Sequence, residues 1–183
     1  MREYYYICPE FFKNGTTMGT EEELLLLLRK AKENNDEEIL NQFQEFGSSE
    51  RQQVMNYRNY HQWLECGYKG EISFDKYGWC TNEIPASDIE KIELWHNDYT
   101  ENYIEVAQLP NGKWVNGCFC TLTESGCAGG CSIWGEKYET RLKALDNAIK
   151  RITEQIQRGT NADKKHLADI KKVRLEMRQL SLF

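Results

Sequence analysis

The chain lacks the sequence devices that most often announce chemistry. It has no P-loop with its Lys-Ser/Thr pair and no dinucleotide-binding glycine fingerprint. Histidines are few: His61, His96 and His166. His96 stands near Asp98, yet no spacing of nucleophile, base and orienting group can be read around it. No C-x-x-C pair precedes a helix, which argues against thiol–disulfide catalysis. There is no internal repeat and no low-complexity tract. The longest apolar run, Leu24 to Leu28, is far too short to span a bilayer. The opening "MREYYYICPE" has no apolar h-region and no small-residue cleavage site, so a cytoplasmic chain away from membranes is expected.

What is present reads as a folded protein. The 183 residues suffice for one domain with a core, or one domain and an appendage. Apolar residues are 40% and aromatics 12%, which excludes a disordered chain. Seven cysteines, an odd number without an export signal, point to reduced thiols rather than a disulfide framework. The net charge of −6 is unevenly spread. Residues 1–140 carry 12 Lys/Arg and 24 Asp/Glu, and residues 141–183 carry 11 and 5, so an acidic body at −12 meets a basic end at +6. That asymmetry suggests charged partners.

Hydrophobic period divides the chain. "REYYYIC" has the composition of a strand. Thr20 and Glu23 form a capping-box pair before "LLLLLRKAKE", predicting a helix from Glu21. A second helix is expected from about Asp36, with Ile39, Leu40, Phe43 and Phe46 on one face and Gly47 as its stop. Ser48 or Ser49 would cap a third, ending at Gly67. From Glu71 alternation takes over. "EISF", "KIELW", "YIEVAQL", "KWVNGCFCTL" and "SIWG" predict strands, and Asn111-Gly112 predicts a hairpin turn. "TESGCAGGCS" reads as a loop. Leu142, Leu145, Ala148, Ile149, Ile152 and Ile156 form an amphipathic stripe, and Asn161 offers a cap for a last helix. The expected class is α+β, with helices over about 21–66, an antiparallel sheet over about 71–135, a helix over about 140–158 and a C-terminal helical hairpin. The body would span 1–160, and 161–183 would be a basic helix and tail.

Three groups of residues offer function. The first is the ending "QLSLF": Gln179, Leu180, Ser181, Leu182 and Phe183. This pentapeptide resembles the linear motif by which bacterial and phage DNA-metabolism proteins grip the β sliding clamp. All five positions match. The resemblance implies that Gln179 hydrogen-bonds beside a pocket while Leu182 and Phe183 fill an apolar cleft. Burying a Leu and a Phe contributes ~1.5–3 kcal/mol each, which suits micromolar binding once ordering costs are subtracted. The competing reading has Leu180, Leu182 and Phe183 finishing the last helix on the protein's own core.

The second group is Cys118, Cys120, Cys127 and Cys131. Cys118 and Cys120 share one face of a strand, and a glycine loop folding Cys127 and Cys131 back would complete a four-thiolate zinc site. The spacing is not a common zinc pattern, and free cysteines also serve as core residues. The third group is the basic side chains Lys164, Lys165, Lys171, Lys172, Arg174 and Arg178, which suit phosphate contacts with nucleic acid or a solvated helix face. Residues 109–152, with their Asn-Gly-Lys-Trp hairpin, glycine-rich loop and Tyr-x-Thr helix start, also resemble a small sheet-then-helix domain of phage and mobile-element proteins. That likeness implies a mobile-element setting.

The expectation is therefore an interaction protein, not an enzyme: a phage or mobile-element accessory protein that binds the bacterial replication sliding clamp and acts in DNA metabolism. Two alternatives stand beside it. One is an acidic inhibitor of a host nucleic-acid enzyme such as a defence nuclease. The other is a small zinc- or cysteine-dependent enzyme.

Overall fold

The computed structural model describes residues 19–97 and 100–180. The strand expected in "REYYYIC" lies outside the described residues. The elements are α1 (Glu21–Asn34), α2 (Glu37–Gln44), α3 (Glu50–Glu65), β1 (Ile89–Asn97), β2 (Thr100–Gln108), β3 (Trp114–Thr121), β4 (Gly126–Gly129), α4 (Arg141–Arg158) and α5 (Leu167–Leu180). The class is α+β, with N-terminal helices, an antiparallel sheet and C-terminal helices. No helix among the described residues is long and apolar enough to cross a membrane.

Packing divides the chain into two compact units. The first runs to Glu65 and resumes over Lys69–Asn82. The second takes Cys66–Tyr68 and continues from Glu83. The C-terminal basic helix belongs to this second unit, and Ile170 and Met177 of α5 are part of its core.

In the first unit, capping begins each helix. Thr20 N donates to Glu23 Oε2 at 2.7 Å and Glu23 N donates back to Thr20 Oγ1 at 3.2 Å, the reciprocal pair that satisfies two orphan donors of α1. Asn35 ends α1 in the left-handed conformation at φ 54°, a position that asparagine tolerates. Asp36 caps α2, and Ser49 Oγ accepts from Gln52 N at the start of α3. Leu24, Leu28, Phe43, Phe46, Val54 and Tyr57 form the core between the three helices. The strand expected at 71–74 is absent. Only a single bridge joins Phe74 to Cys80, because the chain turns back within four residues at Gly78, whose φ is +80°.

The second unit is a four-stranded meander in the order β1-β2-β3-β4. The β2–β3 hairpin falls at Asn111-Gly112, as expected, but its turn is not the two-residue kind. Gly112 N donates to Leu109 O, Pro110 leads the turn, and only Gly112 takes positive φ, at +85°. That is a three-residue loop of a type I turn followed by a left-handed glycine. The strand expected at "SIWG" is instead a turn closed by Gly135 N donating to Ser132 O. Conversely, the glycine-rich loop contains β4, which pairs with β3 over four residues.

One sheet face carries Ile104, Val106, Cys118 and Cys120, and α4 lies on it through Ala144, Leu145, Ala148, Ile149, Ile152 and Ile156. Thr140 caps α4 by accepting from Lys143 N. Two buried asparagines fix the layers. Asn102 Nδ2 donates to Trp95 O, and its Oδ1 accepts from Thr121 N, holding the β1 bulge between Glu93 and Trp95. Asn116 Nδ2 donates to Ala144 O at 2.6 Å and ties β3 to α4.

Candidate functional site

The four cysteines of the proposed zinc site do not converge. Cys118 and Cys120 lie on the helix-covered face of β3, 1% and 2% exposed. Cys127 joins them from β4, directly opposite Cys120 and with its Sγ 3.2 Å from Cys118 Sγ. Cys131 does not. After Gly129 the chain leaves the ladder and crosses to the other face of the sheet. There Cys131 N donates to Glu105 Oε2 at 3.0 Å, and its thiol points to Val115 O. Strand parity explains the placement, since Glu105 and Gly117 alternate away from the core-facing Ile104, Val106 and Cys118. The crossing needs Gly117: a Cβ there would lie 2.5 Å from Cys131 N and 2.6 Å from Gly129 O. Among the described residues, no group of three or more His, Cys, Asp or Glu side chains is arranged to hold a metal ion. The zinc expectation is corrected accordingly.

The thiols are tuned by one another. Its hydrogen bond to Cys127, then burial, raises the Cys118 thiol well above its ordinary range. Cys120 is lowered by its hydrogen bond with Cys127, against the effect of burial. Contact with Cys118 pulls Cys127 down, but its bond with Cys120 and burial leave it raised on balance. Burial and the nearby Glu105 push Cys131 up to about 12.

His61 and His166 each pack against aromatic rings. His61 is packed in the first unit against Tyr57, with ring centroids 4.1 Å apart, and against Phe46 and Tyr60. Burial holds its pKa down to about 4, so it is neutral at pH 7. His166 stacks on Trp95 at 4.3 Å and its Nδ1 lies 3.2 Å from Asp169 Oδ2. Asp98 and the side chain of His96 lie outside the described residues.

The basic group is exposed but broken up. Lys164 and Lys165 sit on the short 3-10 turn Asp163–His166, and Lys171, Lys172 and Arg174 on α5. Arg174 is tied back to Asp146 of α4 at 3.0 Å, and Lys172 faces Glu176 one turn on at 3.9 Å. The Arg178 side chain lies outside the described residues. Acid interleaved in this way weakens the attraction for a phosphate backbone. An open groove of about 560 Å³ beside α4 has the same mixed character, with Asp146, Lys150, Glu154 and Arg174 on its walls.

A cluster that the sequence reading passed over precedes the 3-10 turn leading into α5. The sequence offers Asn161 as a cap, but Thr160 takes that place, its Oγ1 accepting from Asp163 N at 3.4 Å, and it is braced by the Asp163 carboxylate. Asp163 Oδ2 accepts from Thr160 N and Thr160 Oγ1 at 2.8 and 2.7 Å, and its Oδ1 accepts from Thr123 N and Thr123 Oγ1, both at 2.9 Å. The signal was present as Thr160-x-x-Asp163, the spacing of a capping box. These bonds, led by the Thr123 amide, hold the carboxyl far below the usual carboxylate range. A depressed folded pKa means stabilisation that is present above the ordinary value near 3.8 and lost as pH falls through the folded one. Asp163→Asn should therefore lower the melting temperature at pH 7 and flatten its decline below about pH 4, read by thermal melts from pH 2 to 7.

Besides Trp134, aromatic side chains are exposed in two places among the described residues. In the first unit the turn at 74–80 presents Phe74, Tyr77 and Trp79, at 41%, 69% and 39% exposure. It is held rigidly: Asp75 Oδ1 accepts from Tyr77 N and Trp79 N, while Gln52 and Asn56 of α3 donate to the Gly78 carbonyl. In the second unit Phe119 and Tyr103 stack on the outer sheet face at 5.6 Å, with Lys91 over the Tyr103 ring.

Of the terminal pentapeptide, Gln179 and Leu180 are the last residues of α5, and Ser181, Leu182 and Phe183 lie outside the described residues. No family model, curated protein or solved structure matches the chain.

Proposed function

We propose that this chain is a non-catalytic accessory protein of phage or mobile-element DNA metabolism. It acts in the bacterial cytoplasm and binds the replication sliding clamp through Gln179, Leu180, Ser181, Leu182 and Phe183. One observation supports the reading. All five positions of the ending, Gln179, Leu180, Ser181, Leu182 and Phe183, match the clamp-binding pattern. Binding of purified clamp to the full chain tests the proposal. Removal of 179–183 should abolish it, and Leu182→Ala or Phe183→Ala should each weaken it about 10-fold or more, from ~1.5–3 kcal/mol of lost apolar burial. Equal binding with and without the pentapeptide would overturn the proposal.

A second reading is favoured by the aromatic turn at 74–80. The first unit, over the described residues 19–65 and 69–82, carries twelve acidic and seven basic side chains. Exposed Trp and Tyr on an acidic unit suit a basic protein surface, such as that of a nucleic-acid enzyme. This reading expects salt-sensitive binding to such an enzyme that survives removal of 179–183 and is lost with Tyr77→Ala and Trp79→Ala together.

A further inference from the structure

We propose that Cys118 and Cys127 are a peroxide-sensitive pair that closes into an intramolecular disulfide. Their sulfurs stand 3.2 Å apart across adjacent strands. A disulfide bond is about 2.05 Å long, so the two must approach by roughly 1.1 Å. Strand β4 is the element free to supply that shift. Among the described residues it is an edge strand of four residues paired with β3, with Gly126 and Gly129 at its ends and Gly130 just beyond. Cys118 sits in the middle of the sheet and under α4, where nothing has to move.

Access sets the order of events. Cys127 is only partly buried, whereas Cys118 is 1% exposed, so peroxide meets Cys127 first. The Cys127 thiolate, its proton given to solvent, attacks one peroxide oxygen. The O–O bond breaks, hydroxide leaves, and Cys127 becomes a sulfenic acid. The Cys118 sulfur then attacks the Cys127 sulfur. The S–S bond forms, the S–O bond breaks, and the departing hydroxide takes up the Cys118 proton as water. Peroxide is reduced by two electrons and the thiol pair is oxidised by two. Two cysteines are poorer partners: Cys131 lies across the sheet, and Cys66 is buried with its thiol toward Ile133 O. Cys120 faces Cys127 in register and bonds to it as Cys118 does, so it is the rival that the cross-link map must separate from Cys118. This inference is independent of the clamp reading.

The test uses the full chain, reduced and then freed of reductant, exposed to hydrogen peroxide under native conditions. Intact mass should fall by about 2 Da, the two hydrogens lost on forming one disulfide. Free thiols should fall from seven to five. No Lys or Arg lies between Lys113 and Lys137, so trypsin leaves both cysteines in one peptide, while cleavage after Glu124 separates them. Unreduced digestion at glutamate should give a cross-linked pair whose fragmentation joins residue 118 to residue 127. Cys127→Ala and Cys118→Ala should each abolish the mass change, and Cys131→Ala should retain it. A wild-type chain that keeps its reduced mass would overturn the proposal, and so would a cross-link mapped to Cys120 or Cys131. Persistence of the mass change in Cys118→Ala would also overturn it. Should Cys118→Ala fail to fold, the digest of the wild-type chain decides alone.

Discussion

Gly117→Ala is expected to destabilise the second unit by about 1–3 kcal/mol, the cost of forcing atoms into a filled site. The added methyl would lie 2.5 Å from Cys131 N and 2.6 Å from Gly129 O, and would also collide with the Gly130 carbonyl carbon. Those are backbone atoms, so no side-chain rotation relieves the overlap. The 129–131 crossing must lift away instead, and Cys131 N then loses the Glu105 carboxylate that accepts from it. Gly129→Ala is the control, because a Cβ there meets nothing within 4 Å. Its effect should stay within about 0.5 kcal/mol. Urea unfolding of the three proteins gives the stabilities. A second readout follows from chemistry. Burial, with Glu105 nearby, pushes the Cys131 thiol up to about 12 in the native arrangement. Lifting the crossing should make that thiol react faster with a thiol reagent in Gly117→Ala than in the wild type. Equal stability and equal Cys131 reactivity would show that the crossing is not seated as described.

That crossing also shows what sequence patterns convey and what they leave out. Local signals survived folding. The Thr20–Glu23 pair caps α1 in both directions, and the apolar stripe from Leu145 to Ile156 lies on the sheet. Each depends on residues within one element, where period and capping chemistry decide the outcome. Features made by distant partners did not show. "GCAG" has poor strand propensity, yet it is a strand because β3 offers a paired edge. "EISF" has good propensity, yet it forms a single bridge because Gly78 turns the chain back. The cysteine grouping failed for the same reason. Spacing placed four thiols close in sequence, but a glycine on another strand lets the chain cross the sheet and takes Cys131 away. The resemblance of residues 179–183 to a clamp-binding peptide lies in the string of side-chain types alone, and its test is binding rather than packing.

Asn56→Ala should cost the first unit about 3 kcal/mol or more, as much as truncating a large buried apolar side chain. The argument is one of satisfied polar groups. Asn56 is fully buried in α3 and makes three bonds with one amide. Its Nδ2 donates to Phe46 O at 2.6 Å and to Gly78 O at 2.7 Å, and its Oδ1 accepts from Cys80 N at 2.8 Å. One side chain therefore satisfies the end of α2 and both sides of the aromatic turn. Alanine would orphan Phe46 O and Cys80 N, and each buried unpaired group costs about 1–3 kcal/mol. Gly78 O would retain its bond from Gln52 Nε2. Asn56→Asp should be worse at pH 7, although it is nearly isosteric. It keeps the acceptor for Cys80 N but aims a carboxylate oxygen at two carbonyl oxygens. Burial and those carbonyls would raise its folded pKa above the unfolded value, so its stability should recover as pH falls and the carboxyl becomes a donor. Denaturant unfolding at pH 7 and pH 4 tests the order. Wild type should exceed Asn56→Ala, which should exceed Asn56→Asp at pH 7, and the last gap should narrow at pH 4. A milder loss for the aspartate at pH 7 would mean that the Phe46 and Gly78 carbonyls do not depend on Asn56. The turn carrying Phe74, Tyr77 and Trp79 would then owe its shape to Asp75 and Gln52 alone.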